Sequence, residues 1–97
     1  MKRTSNDKPL KEAIEEMLKN FQIENKFLQH KLIASWEKVM GKTVANRTTK
    51  IYFRDNKLFV YLDSASLREE LFNAKVKIIS MLNEEVGKLL IEDIVFS

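Results

Sequence analysis

The stretch "KIYFRDNKLFVYLD", residues 50–63, constrains the fold more than any other part of the chain. Ile51 and Phe53 alternate with Tyr52 and Arg54 before Asp55-Asn56; Leu58, Val60 and Leu62 alternate with Phe59, Tyr61 and Asp63 after it. Period two is the mark of a half-buried strand. Asp and Asn tolerate positive φ better than most residues, so Asp55-Asn56 suits a two-residue hairpin turn. That turn sets a register in which Arg54 opposes Lys57, Phe53 opposes Leu58, Tyr52 opposes Phe59 and Ile51 opposes Val60. The aliphatic residues then share one face with Phe53, while Tyr52, Phe59 and Tyr61 share the other.

Around this hairpin the apolar period changes to that of helices. Pro9 marks the start of a first helix, at a position that tolerates its missing N–H, and residues 1–8 read as a flexible tail before a single domain over 9–97. Leu10, Ala13, Ile14, Met17, Leu18 and Phe21 follow the i, i+3, i+4, i+7 rule of an amphipathic helix. A short break near Asn20–Asn25 precedes a second helix from about Lys26 to Met40. Val44 and Ala45 fit either one helical turn or an ordered loop, and the polar run Asn46-Arg47-Thr48-Thr49 reads as loop. Ser66-Leu67-Arg68-Glu69 has the spacing of a capping box. From there Leu67, Leu71, Ala74, Ile78, Leu82 and Val86 trace a long stripe, widened by Phe72, Val76 and Ile79 and ended by Gly87. The closing "LLIEDIVFS", with Ile94 and Phe96 on one face, adds a third strand. The fold class expected is α+β, in the order α-α-β-β-α-β, a three-stranded sheet with its helices mainly on one side.

Chemistry is sparse. The chain has 97 residues, no cysteine and one histidine, so thiolate metal sites and disulfides are excluded and His30 has no second imidazole to share a metal with. His30, between Gln29 and Lys31, reads as a surface residue. The pairs Glu15-Glu16, Glu69-Glu70 and Glu84-Glu85 are adjacent on helices and splay apart rather than share a proton. Gly41-Lys42-Thr43 resembles the end of a phosphate-binding loop, but the glycine such a loop needs five residues earlier is Trp36. Trp36, Val39 and Met40 instead share helical spacing with Leu28, Leu32 and Ile33, which makes Gly41 a left-handed residue just past a helix end. The reading is of a non-enzyme with no catalytic residue, metal or cofactor. Met1–Lys8 contains no apolar h-region and no apolar run reaches spanning length, so the expectation is a cytoplasmic protein without membrane contact.

The net charge of +3 is unevenly distributed. Residues 26–57 hold eight basic side chains against Glu37 and Asp55, giving +6. Residues 1–25 balance at five against five, and residues 58–97 carry four against seven, giving −3. The positive middle coincides with the hairpin, whose aromatic face is flanked by Lys50, Arg54 and Lys57, with Lys42 and Arg47 leading into it. Rings that stack on unpaired bases beside cations that neutralise phosphates describe a single-stranded nucleic-acid surface. The candidate site is therefore Lys42, Arg47, Lys50, Tyr52, Arg54, Lys57, Phe59 and Tyr61. A second reading stands beside it: a helix or another protein, including a second subunit of a homodimer, covers the three rings, and the domain is a protein-interaction module.

The ordered set Trp36-x-x-Val39-x-Gly41, Val44-Ala45, Leu58-x-Val60, Ser64-x-x-Leu67-x-x-Glu70-Leu71, Ile79-x-x-Leu82-Asn83, Gly87 and Ile91-x-x-Ile94-x-Phe96 resembles the bacterial DciA-like family. The match spans roughly residues 10–97. The resemblance implies a KH-like domain acting in chromosome replication, which associates with the replicative helicase DnaB, helps load it onto DNA, and binds nucleic acid. A KH domain clamps the nucleic-acid backbone with a Gly-x-x-Gly loop. Neither Gly41 nor Gly87 has such a partner, so any binding here uses other residues.

Overall fold

The computed structural model describes the backbone of residues 3–97 and the side chains from Lys8 onward; Met1 and Lys2, part of the expected tail, lie outside the described residues. Helix α1 (Arg3–Ala34) leads into two short helices, α2 (Trp36–Met40) and α3 (Lys42–Arg47). The hairpin β1 (Thr48–Arg54) and β2 (Lys57–Leu62) comes next, then α4 (Ala65–Asn73), α5 (Lys75–Val86) and β3 (Asp93–Phe96). Taken as layers this is the expected α+β order, α-α-β-β-α-β, and it is consistent with a KH-like fold.

The hairpin forms in the register expected from its sequence. Arg54 pairs with Lys57, Phe53 with Leu58, Tyr52 with Phe59, Ile51 with Val60 and Lys50 with Tyr61, and a bulge interrupts the ladder between Thr48 and Lys50. Asp55 and Asn56 both take positive φ, 51° and 62°, the requirement of a two-residue turn that matches strand twist. β2 lies in the middle of the sheet, antiparallel to β1 and parallel to β3. Its inward residues Leu58, Val60 and Leu62 are buried, and with Ile94, Leu32, Trp36, Leu71, Ile78 and Leu82 they form the core.

Several element boundaries differ from the expected ones. α1 does not begin at Pro9, which lies inside it, and does not break at Asn20–Asn25. Two asparagines cost a helix only a few tenths of a kcal/mol each, too little to end one that Lys88 braces by donating to Asn25 Oδ1 at 3.1 Å. The break comes at Ser35, whose hydroxyl donates to the Leu32 carbonyl at 2.8 Å and whose N–H is shared between the Lys31 and Leu32 carbonyls. Such back-bonding bends a helix. Gly41 takes positive φ as expected, but at φ 91°, ψ 165° it is not left-handed helical. That region is open essentially to glycine alone, and it turns the chain from α2 straight into α3.

The polar run expected as loop is divided between α3, which includes Asn46 and Arg47, and β1, which starts at Thr48. Thr48 is held there by side-chain bonding: Trp36 Nε1 donates to its Oγ1 at 3.0 Å, and that hydroxyl donates to the Val44 carbonyl at 2.8 Å. The N-cap of α4 is Ser64, not Ser66; its Oγ accepts the Leu67 N–H at 3.3 Å. Ser66 falls within the first turn, where its backbone is already helical. The long stripe is split at Ala74 into α4 and α5, and the two residues nearest the break that were expected to widen it, Phe72 and Val76, point to solvent.

Gly87 does end α5 in the left-handed conformation, φ 74°. The Lys88 N–H then returns to the Asn83 carbonyl. Asn83 also orders the segment between α5 and β3. Its buried Oδ1 accepts the N–H groups of Leu90 and Ile91 at 2.9 and 3.0 Å, and its Nδ2 donates to the Ile91 carbonyl at 3.2 Å. This amide replaces a missing stretch of secondary structure and delivers β3 to the edge of β2. Among the described residues no helix is long and apolar enough to cross a membrane.

Two substitutions test this architecture by chemical denaturation. Trp36→Ala removes a core ring that is 4 % exposed together with its bond to Thr48, and should cost about 3–5 kcal/mol. Asn83→Ala leaves two buried N–H groups without acceptors, and should cost about 2–4 kcal/mol, summing roughly 1–3 for each orphaned group with incomplete additivity. An unchanged denaturation midpoint in either variant contradicts the placement of that residue.

Candidate nucleic-acid interface

Because the pleat alternates, burying Leu58, Val60 and Leu62 turns Phe59 and Tyr61 to the opposite face, and pairing brings Tyr52 between them. The Tyr52 ring stacks on Phe59 with centroids 4.9 Å apart and planes 6° from parallel. It meets Tyr61 at 6.2 Å and 23°. All three rings are half-buried, and none packs against the core cluster; they shield one another. No helix covers them among the described residues. On the neighbouring strand Val95 pairs with Phe59, so the same face ends in an aliphatic side chain.

The candidate cations fall into four groups. Lys50 is the most closely integrated: its Nζ lies 5.2 Å from the Tyr52 ring centroid and 5.6 Å from that of Tyr61. Attraction to the ring faces holds the ammonium over the stack. Arg54 and Lys57 oppose each other at the hairpin tip, and the Arg54 contact with Asp55, 3.8 Å between side chains that are 74 % and 86 % exposed, is worth little. Arg47 closes α3 immediately before β1 and faces Asp63 at 3.7 Å. Lys42 stands at the opposite end of α3, exposed, and no contact joins it to the ring stack. The structure thus brings six of the eight candidates onto one face, sets Arg47 at its margin, and leaves Lys42 apart.

A side-chain hydrogen bond with Tyr61 holds the Tyr52 phenol above its usual pKa; desolvation and the nearby Tyr61 charge add to this, and Arg54 opposes it. At neutral pH Tyr52 is therefore a neutral ring with a polar tip. The face is flat. Three hollows of the surface, about 450, 630 and 300 Å³, lie along α1, along α5 and beside α4, and none of the three is lined by these rings. A flat row of π-faces with a cation held across it accepts an extended ligand side-on.

One feature of the face was beyond the sequence reading. Val95 is on this face because Ile94 and Phe96 turn to the core and the pleat alternates, but it stands beside Phe59 through the parallel register of β3 on β2, and strand direction leaves no trace in a four-residue strand. Lys50 spans both tyrosines, a consequence of its pairing with Tyr61 that the hairpin register does contain.

An α+β domain with its helices on one side of a three-stranded sheet and an open aromatic face on the other is the class that the geometry defines. The family profile described as "Dna[CI] antecedent, DciA" matches residues 9–96, and this chain belongs to that family. The family is one of helicase loaders that associate with DnaB in bacterial DNA replication. Comparison with curated proteins and with solved structures returns no match.

The tyrosine pair offers a direct check on the stack. Tyr61→Phe removes the hydroxyl that raises Tyr52, so the Tyr52 phenol should ionise at lower pH than in the parent, followed by ultraviolet difference titration. With the folded pKa raised, the stabilisation is present below the ordinary phenol pKa and is lost as pH rises through the folded value. An unshifted Tyr52 titration in the variant contradicts the arrangement.

Proposed function

We propose that this chain is a non-enzymatic, cytoplasmic accessory factor of DNA replication that binds single-stranded nucleic acid on its sheet face while it assists the replicative helicase DnaB. The observation that carries this reading is the Tyr52–Phe59–Tyr61 stack with Lys50 held over two of its rings. Each ring is a surface for an unpaired base, and stacking tolerates any base because each has a π-face. Lys50, Arg54 and Lys57 line the path of the phosphates, with Arg47 extending it at the start of β1. A helicase must receive a separated strand. A loader that holds unpaired bases side-on keeps that strand extended and close to the ring it enters.

The competing reading, a protein-interaction module with the rings buried against protein, draws support from the apolar Val95 beside Phe59. Salt separates the two. Losing phosphate contacts flattens the dependence of log affinity on log salt by about 0.7 per contact for a single strand, whereas an apolar protein interface barely responds.

Three charge reversals made together, Arg47→Glu, Lys50→Glu and Arg54→Glu, should abolish binding of a single-stranded oligonucleotide and leave the helical circular dichroism unchanged. Tyr52→Ala or Tyr61→Ala should each weaken it by roughly 1–3 kcal/mol. Lys42→Ala should have a slight effect, since Lys42 sits apart from the stack. If the triple variant binds as well as the parent at equal salt, the nucleic-acid reading of this face fails.

A further inference from the structure

Helix α1 is 32 residues long, roughly 48 Å at 1.5 Å per residue. It belongs to a molecule whose largest dimension is 67 Å against 20 and 19 Å across. From Lys8 onward, only its C-terminal part is packed. Leu28 and Leu32 meet the core, and the last attachment towards the N-terminus is Lys88, whose ammonium bonds to Asn25 and lies 4.6 Å from the Phe21 ring centroid. Beyond that point α1 projects from the body. The stripe it carries there, Leu10, Ile14, Met17, Leu18 and Phe21, is between 45 % and 65 % exposed at every residue. Single exposed leucines are ordinary; five large apolar side chains in one stripe mark a contact surface.

We propose that this stripe pairs two copies of the chain through α1, with the two helices antiparallel. The spacing itself selects a second copy. Leu10, Ile14, Met17 and Phe21 are separated by four, three and four residues, a pattern symmetric about the midpoint between Glu15 and Glu16. A twofold axis there sets Leu10 level with Phe21 of the other copy and Ile14 level with Met17, and the reverse, which is the self-complementary contact a closed dimer requires. The same four residues are alternate core positions of a heptad, so they interleave as knobs between facing helices.

Charge and shape agree with this occupant. Beside the seam lie Lys11, Ala13, Leu18 and Asn20, a single charge among four residues, while Glu12, Glu15 and Glu16 fall on the outer side of the helix. Between Leu10 and Phe21 no like charges are forced together along it. Each stripe side chain removes on the order of 100 Å² from water when covered. Two copies then bury about 1,000 Å², the lower bound of area for a specific interface. The direction is set by where the body sits. Leu28 and Leu32 lie on the same side of α1 as the stripe, so parallel copies would force two bodies about 20 Å across onto helices only about 8–10 Å apart. Reversal places the bodies at opposite ends. This contact is separate from the sheet face and does not depend on what that face binds.

Sedimentation equilibrium of the whole chain tests the pairing, with twice the 11.4 kDa chain mass expected. Ile14→Glu combined with Met17→Glu should return the mass to one chain without altering Trp36 fluorescence, because both positions are exposed and lie outside the core. A parent that stays at single-chain mass up to hundreds of micromolar overturns the proposal, whether or not the stripe then proves to bind the helicase. So does a double variant that remains dimeric. The absence of native cysteine allows a direct measure of direction. Spin labels on Glu24→Cys, an exposed position on the seam side of α1, should lie about 25 Å or more apart across an antiparallel pair, from 1.5 Å of rise per residue. A separation near 10 Å means parallel helices and overturns it as well.

Discussion

Strand β2 has neighbours on both edges and a core on one side, and the rest of the molecule is arranged around those demands. Leu58, Val60 and Leu62 are all buried, so the inward half of the strand is fully committed to the core cluster, to which the helices contribute Leu32, Leu71, Ile78 and Leu82. The pleat then leaves no freedom on the other half. Phe59 and Tyr61 must face away from the helices, and Tyr52 must join them, because a slip of one residue would drive Leu58 and Val60 into water. The aromatic face is therefore the obligate reverse side of the core. A mutation that weakens the hydrophobic packing of β2 also disorders the ring stack, while one on the ring face need not touch the core.

Two polar tethers, at Trp36 and at Asn83, extend this arrangement in opposite directions along the chain. Trp36, Thr48 and Val44 are linked by two consecutive hydrogen bonds, which fix where β1 begins and hence where Lys50 stands relative to the tyrosines. Asn83 does the same for β3, whose Val95 completes the face. Both tethers are polar groups satisfied where regular secondary structure is missing, and buried polar groups left unsatisfied are costly. A single indole and a single amide thus position side chains that neither of them touches.

How much of this the sequence makes legible depends on whether the deciding interaction is local. The hairpin register can be read in full, since Asp55-Asn56 and the alternation around it are both within fourteen residues. The capping serine is two residues from its expected position because Ser64 and Ser66 are equally good acceptors, and only the path leaving β2 decides between them. The break in the first helix is expected at asparagines and occurs at Ser35, where a side chain bonds back to its own turn. Periodicity marks Leu10 to Phe21 as one face of a helix but carries no information on what lies against it, and that face is uncovered. The same blindness applies to the rings. Whether they are open or covered depends on which side of the sheet α4 and α5 return to, a matter of topology. Of the candidate cations, those on the strands are placed correctly by the register, while Lys42 is grouped with them only by its nearness in sequence.

The most direct test of the aromatic face is a titration of isotope-labelled protein with a short single-stranded oligonucleotide, followed by backbone amide and tyrosine ring resonances. Shifts should concentrate between Thr48 and Tyr61 and at Val95, with the rings of Tyr52, Phe59 and Tyr61 moving upfield under stacked bases and the exposed stripe of α1 unaffected. Perturbations confined to the helices, with the three rings silent at saturation, would contradict a nucleic-acid role for the sheet.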